Sequence, residues 1–383
     1  MNAILLGNMD SDENIPSIDF MTMGMFIIGR FLSSPVHLQS KRLSIHQIPI
    51  LIPHKSPKKL ISPTDDIYPP PSAPDQTPQL NIVGGAGTYS ALGARIFSPP
   101  PLSTSIGWIV DAGTDFPPDL HHLISSWSTS ALIRPRADAP TTRGWNGYGE
   151  SDHRAFKYLT EKKRLDPSDL TPSFLRSKSF HLICSAKRCT SIVETILAQR
   201  PQSADPKPLF IWEPVPDSCI PSEYAATLTA LRSVDIMSPN HEELACLFSS
   251  PPSETIDRTT IETHARTLLA HGIGATGTGA VVVRASKAGC YVLSPSISRW
   301  IPAYHTDGRR VVDPTGGGNG FLGGLAVGMV RTGGNVVEAA RMGSVAASFC
   351  IEQVGVPVLS KMEEGERWNG VSVTERLEEF RRR

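Results

Sequence analysis

The stretch Val311–Val330, VVDPTGGGNGFLGGLAVGMV, decides how the chain is read. Val311-Val312 ends a β-branched run, and Asp313-Pro314 breaks it. Gly316, Gly317 and Gly318 follow. Phe321, Leu322, Leu325, Val327, Met329 and Val330 then set an apolar helical pattern that stops before Gly333-Gly334. Glycines without Cβ let backbone N–H groups converge. The first turn of a helix leaves its N–H groups unpaired at the positive end of the helix dipole. A strand, glycines and a helix in that order can therefore hold a phosphate, or the charge that develops when one is transferred. A glycine-rich turn that only packs closely has the same three glycines, so the reading needs support from the rest of the chain.

The whole string is more specific than its glycines. Asp313, Thr315, Gly316, Gly318, Phe321, Gly323 and Gly324 match a pattern, D-[TP]-T-G-A-G-D-x-F-x-G-G, and on them the stretch resembles the C-terminal signature of the PfkB (ribokinase-like) carbohydrate kinases. The family's second aspartate, its general base, is Asn319 here. The resemblance implies catalytic roles for Asn319, Gly316, Gly317 and Gly318, and places Asp313 beside the nucleotide.

Leu80–Arg95, LNIVGGAGTYSALGAR, resembles the family's N-terminal GG-x-G-x-N motif, which implies substrate contacts for Gly84, Gly85 and Gly87. The family's asparagine is Tyr89 here. Two other readings stay open. Gly85-x-Gly87-x-x-Ser90 half matches a dinucleotide fingerprint, which needs a βαβ unit and a later acid. The glycines also suit close helix packing.

Met21–Ile28, MTMGMFII, reads as one strand that resembles the family's first. There it runs into a sugar-binding aspartate; here it runs into Gly29-Arg30. Residues 29–64 hold Lys, Arg, Ser and Pro, no acid and no clear periodicity. Removing them joins Ile28 to Asp65, which restores the family's aspartate as a substrate residue. The codons of Gly29-Arg30-Phe31 can carry a splice donor and those of Thr64-Asp65 an acceptor. The segment reads as a retained intron or a surface insertion, disordered and outside the core. Lid segments are expected near 66–83 and 130–148, with Arg143 reaching a polyol or phosphate; a solvated edge hairpin is the alternative.

From Phe180 onward, strand-like and helical patterns alternate. FHLIC (180–184), LFIWEPV (209–215), VDIMSPN (234–240) and AVVVRAS (280–286) are separated by helices, which argues a parallel sheet covered on both faces. Ligands of such sheets sit at the strands' carboxyl ends, where Glu213, Asn240, Ser286-Lys287 and Asp313 fall. Asn240-x-x-Glu243 resembles the family's N-x-x-E motif, which implies Mg²⁺ held largely through water by Asn240 and Glu243, with Asn240 also near the nucleotide. A capping box has the same spacing. Ser286, Lys287 and Gly289 follow a strand as the family's nucleotide loop does. Asn335-x-x-Glu338 caps the last long helix, whose small face (Ala339, Gly343, Ala346 and Ala347) fits beside adenine. Residues 374–383 read as a charged, exposed tail.

Composition narrows the rest. Lys+Arg 37 balances Asp+Glu 37, so no net charge argues for nucleic acid or a membrane surface. No apolar run approaches the roughly 20 residues needed to span a bilayer. Residues 1–20, an N-terminal tail, contain acids and no base, unlike a secretory signal. Six cysteines without CxxC or zinc spacing suit reduced thiols in the cytoplasm. The expectation is one α/β domain over 21–373, a three-layer α/β/α sandwich with a mostly parallel central sheet and a small β lid. It is similar to the maintenance-of-killer-like branch of the family. The implied reaction moves the ATP γ-phosphoryl to a sugar or nucleoside hydroxyl with Mg²⁺. The alternative, raised by Asn319, is a nucleotide- or sugar-binding protein with impaired catalysis.

Overall fold

Successive side chains of a strand point to opposite faces, and here both faces are apolar. The computed structural model describes residues 17–33, 79–148, 154–201, 206–250 and 255–383. In chain order its larger elements are β1 (Phe20–Thr22), β2 (Ile27–Ser33), β3 (Gln79–Gly84), α1 (Ala86–Ile96), β4 (Ile106–Ala112), α2 (Pro118–Ser126), β5 (Ser130–Pro135), β6 (Arg143–Tyr148) and β7 (Arg154–Tyr158). Next come α3 (Pro172–Leu175), β8 (Ser179–Cys184), α4 (Ala186–Gln199), β9 (Leu209–Pro214), α5 (Tyr224–Leu231), β10 (Ile236–Met237), α6 (His241–Leu247), α7 (Arg258–Ala270) and β11 (Ala280–Arg284). The chain ends with β12 (Cys290–Ser294), β13 (Ile297–Ile301), α8 (Gly317–Arg331), α9 (Val336–Cys350), the hairpin β14 (Leu359–Met362) and β15 (Gly365–Trp368), and α10 (Val373–Arg381).

The central sheet has nine strands in the order β13-β12-β11-β10-β9-β8-β1-β4-β5, parallel from β11 to β5, with β12 and β13 added antiparallel. Ile211 and Val282 face a core built with α1, α2, α8, α9 and α10. Their neighbours Phe210, Trp212, Val281 and Val283 face the opposite core, built with α3 to α7. This is the expected three-layer α/β/α sandwich. A separate four-stranded sheet, β3-β2-β6-β7, forms the lid.

Several expectations change. Met21–Ile28 is two strands in two sheets: Phe20–Thr22 lies in the central sheet, Met23–Phe26 crosses, and Ile27 opens the lid strand. Gly24 makes the crossing possible, because a Cβ there would lie 2.5 Å from Gly87 N. Gly29–Ser33, assigned to the inserted segment, continue β2 and pair with both β3 and β6. The remaining residues of that segment, and Asp65 after it, lie outside the described residues. Ser130–Pro135, assigned to the lid, is the edge strand of the central sheet, paired along β4. The small face of α9 is covered by α8: a Cβ on Gly324 would meet Ala346 Cβ at 2.8 Å, and one on Gly328 would meet Ala339 Cα at 2.7 Å. No described helix is long and apolar enough to cross a membrane.

The C-terminal segment is a docked amphipathic helix. Leu377 and Phe380 of α10 are buried, and the buried Arg376 pairs with Glu352 at 2.9 Å. Burial alone would raise the Glu352 pKa. The His305 ring 3.1 Å away, the hydrogen bond from Asn369 and the Arg376 charge outweigh it and bring it to about 2, from 4.5. A depressed carboxyl pKa adds stability above its unfolded value and loses it as pH falls through the folded value. Glu352→Gln should therefore lower the melting temperature at pH 7, by the equivalent of roughly 2–3 kcal/mol. The gap to the wild type should close between pH 4.5 and about 2. A gap independent of pH in thermal melts would refute this assignment.

Candidate functional site

The carboxyl ends of the parallel strands and the amino end of α8 meet at one place. Gly316 caps α8 in the left-handed region, φ 81°. A Cβ there would sit 2.3 Å from the ring of Tyr89, so only glycine fits. Asp313, also buried, accepts the Thr315 N–H at 2.9 Å and shapes the turn. Gly317 N–H turns back to Pro314 O (3.2 Å), and Gly320 N–H makes the first bond within the helix, to Gly316 O (2.8 Å). Among the described residues the N–H groups of Gly318 and Asn319 have no backbone acceptor, and unpaired helix-end N–H groups are suited to an anion.

Behind this turn lies a buried polar chain. The Asn319 side chain donates Nδ2–H to Glu213 Oε2 at 2.7 Å. Glu213, at the end of β9, is 5% exposed. It also meets His181 Nε2 at 3.0 Å and Arg284 at 3.0 Å. His181 is fully buried in β8, with Nδ1 3.2 Å from the hydroxyl of Thr22 in β1. Thr22 Oγ1 accepts the Gly24 N–H at 3.0 Å. Arg284 ends β11, bridges on to Glu243 at 3.4 Å and donates to Ser238 O at 3.1 Å. Its guanidinium lies against the glycine turn, since a Cβ on Gly318 would fall 2.2 Å from Arg284 Nη1. The chain thus runs from the crossing at Gly24 to the glycine turn at Gly318.

The two acids behave differently. Burial pushes Glu213 up, but the Arg284 charge and the bonds from His181 and Asn319 bring it below the ordinary carboxylate range. It is therefore an ionised acceptor. Glu243 is raised to about 7: burial and the neighbouring Glu213 push it up, and Arg284 offsets only part of the rise. Asn240 and Glu243 form a capping box on α6: Glu243 N–H to Asn240 Oδ1 at 2.8 Å, and Asn240 N–H to Glu243 Oε2 at 2.7 Å. The cap leaves Glu243 Oε1 and a second lone pair on Asn240 Oδ1. No group of three or more His, Cys, Asp or Glu is arranged to ligate a metal among the described residues. One buried, undercompensated carboxylate fits a hydrated Mg²⁺ held through water better than a directly ligated ion.

The other expected site residues are placed as follows. Asn240 bridges to Arg284 as a parallel pair, so the turn Ser286–Ala288 leaves the sheet on the same rim. Lys287 is exposed there. Gly289, φ 88°, is fixed by packing, since a Cβ would lie 2.0 Å from Ile301 O. Gly84 ends β3 and Gly85 caps α1. Gly87 N–H is bonded to Met25 O at 2.9 Å, and a Cβ on Gly87 would lie 2.3 Å from Gly24 O. Close packing therefore accounts for Gly85 and Gly87 before any ligand does. Arg143, at the root of the lid, is held by Asp115 (2.6 Å) and Asn81 (3.1 Å). Tyr89, in place of the family's asparagine, is a buried strut between α1 and the glycine turn.

Sequence reading placed Glu213 at a strand's carboxyl end and Arg284 at the head of the turn that follows β11, without a role for either, and passed over His181. The available signal was a polar residue inside a buried apolar run, as in FHLIC, LFIWEP and AVVVR.

The fold is an α/β/α sandwich with a glycine turn at a helix amino end on the sheet's carboxyl rim. Residues 169–361 match the pfkB family carbohydrate kinase model. The chain is 35% identical over 315 residues to Protein MAK32 of Saccharomyces cerevisiae, covering 78% of this chain and 84% of that protein. It is 33% identical over 316 residues to an uncharacterised protein of Schizosaccharomyces pombe, covering 78% and 86%. Its fold is similar to that of ribokinase from Giardia lamblia, with TM-score 0.62, 16% identity and coverage of 89% and 94%. The chain belongs to the PfkB family.

Proposed function

We propose that the protein transfers the γ-phosphoryl group of ATP to a hydroxyl of a small sugar- or nucleoside-like acceptor. The observation that carries this reading is the amino end of α8, where two free N–H donors and the Arg284 guanidinium converge beside Asn319. The N–H groups of Gly318 and Asn319 stabilise the phosphoryl as it moves. The Asn319 carboxamide accepts a hydrogen bond from the attacking hydroxyl and holds it in line, but it has no titratable site near pH 7. In a loose transition state little base assistance is needed before the O–P bond forms. The proton passes to an oxygen of the transferred phosphoryl, ADP leaves, and a phosphate monoester results. Mg²⁺, held through water by Glu243 and Asn240, would neutralise phosphate charge when bound. Asp65 and Arg143 belong to the acceptor side of this reading, and Asp313, Ser286 and Lys287 to the nucleotide side. Six free cysteines support a reducing compartment such as the cytoplasm.

The absence of a carboxylate at position 319 favours a second reading, binding of nucleotide and acceptor with little transfer. Loss of a general base is typically worth about 10²–10⁴-fold in rate. Labelled γ-phosphate from ATP–Mg²⁺, followed against a panel of sugars, polyols and nucleosides, separates the two. Acceptor-dependent ester formation is the expected result. Calorimetric ATP binding without ester from any acceptor supports the second reading, and no ATP binding overturns both.

A further inference from the structure

We propose that Glu213 is the positioning residue for Asn319: it takes the amide hydrogen, turns the carbonyl oxygen toward the acceptor, and carries the site's negative charge one residue back. What Asn319 faces rests on the phosphotransfer reading; the pair itself does not.

The geometry leaves little choice. Glu213 Oε2 is shared by His181 Nε2 and Asn319 Nδ2, and Oε1 meets Arg284. A flipped Asn319 amide would set its oxygen against a carboxylate oxygen 2.7 Å away, two acceptors with no proton between them. The charge on Glu213 therefore fixes the amide. His181 is held from its other nitrogen by Thr22, so the carboxylate is oriented from behind. The charged or titratable groups around it are Arg284, His181 and, beyond Arg284, Glu243.

The arrangement also explains why an amide suits position 319. An aspartate there would put two carboxylates on one short contact, and they would share a proton instead of both ionising. With Glu213 in place, an aspartate at 319 is a poor base. Glu213→Gln combined with Asn319→Asp reverses the hydrogen bond, so that the glutamine donates to a free aspartate.

The test has two arms, using the full chain. In ¹⁵N-labelled protein, the Asn319 side-chain amide is identified by its loss in Asn319→Ala. Its resonance should lie downfield and move upfield in Glu213→Gln. Glu213→Asp, which keeps the charge but withdraws the carboxylate, should release the same resonance and covers the case in which Glu213→Gln does not fold. In the second arm, ATP–Mg²⁺ and the acceptor panel are the probes. Turnover of Asn319→Asp in the Glu213→Gln background should exceed that of Asn319→Asp alone by about tenfold or more. An Asn319 resonance indifferent to both Glu213 variants overturns the proposal. So does equal turnover for Asn319→Asp in the two backgrounds. If no variant turns over any acceptor, the kinase reading falls and the amide resonance alone decides on Glu213.

Discussion

Arg284→Met should destabilise the protein by about 3–5 kcal/mol at pH 7, the usual cost of removing one partner from a buried ion pair. Arg284 is the cation between Glu213 and Glu243, and both carboxylates are only 7% exposed. Methionine fills similar volume, so the loss is electrostatic and not a cavity effect. Glu243 already sits at about 7 with Arg284 present. Without it, both acids have folded pKa values above their unfolded ones. An acid raised in the fold costs nothing below its unfolded pKa, and its cost grows as pH rises through the folded value. Denaturant melts at pH 5 and pH 8 should therefore show a much smaller deficit at the lower pH. An equal deficit at both would mean that Arg284 acts by packing alone. ATP affinity should fall as well, because the guanidinium lies against Gly318.

The layers of the fold were legible because the strands from β8 to β11 are apolar on both faces, which only a doubly covered sheet explains. The glycine turn was legible because strand, breaker, glycines and helix follow one another within twenty residues. The lid was harder. Met21–Ile28 carries one continuous apolar pattern, yet Gly24 lets the chain leave the central sheet for the lid within four residues. No period marks such a change of sheet. Ser130–Pro135 has a strand pattern that suits an edge of either sheet. The polar network was the least legible part. His181, Glu213 and Arg284 come from three strands, and their meeting depends on strand order and register, which no local pattern encodes. Gly85, Gly87 and Gly289 show the converse difficulty, because a motif glycine can be explained by a neighbouring backbone as fully as by a ligand.

The glycines of α8 beyond its first turn supply the other large expected effect. Gly323 faces α1, where a Cβ would lie 1.9 Å from Ser90 O, and Gly324 faces α9, where a Cβ would lie 2.8 Å from Ala346 Cβ. From the other side, a Cβ on Gly93 of α1 would fall 2.0 Å from Gly320 O. The α1–α8 contact is therefore backbone on backbone. In an exposed helix, glycine to alanine gains about 1 kcal/mol from propensity. At Gly323 the methyl meets a carbonyl that cannot rotate away, so the two helices must separate. Gly323→Ala should instead lose about 2–4 kcal/mol, the range of forced overpacking with strain. Gly324→Ala, whose added Cβ would stand 2.8 Å from Ala346 Cβ and 2.9 Å from Met342 O, a longer approach than the 1.9 Å at Gly323, should lose less. Gly308→Ala, with nothing within 4 Å of its added Cβ, should be nearly neutral. The functional consequence follows from Tyr89. Its ring, carried by α1, rests on Gly316 at the mouth of the site, so moving α1 away from α8 removes the support of the glycine turn. Gly323→Ala should thus weaken ATP binding even under conditions where the protein remains folded, and Gly308→Ala should not. Denaturant melts and ATP titrations of the three variants check both rankings. A Gly323→Ala protein with wild-type stability and wild-type ATP affinity would show that the helices can part without cost and that the turn does not depend on α1.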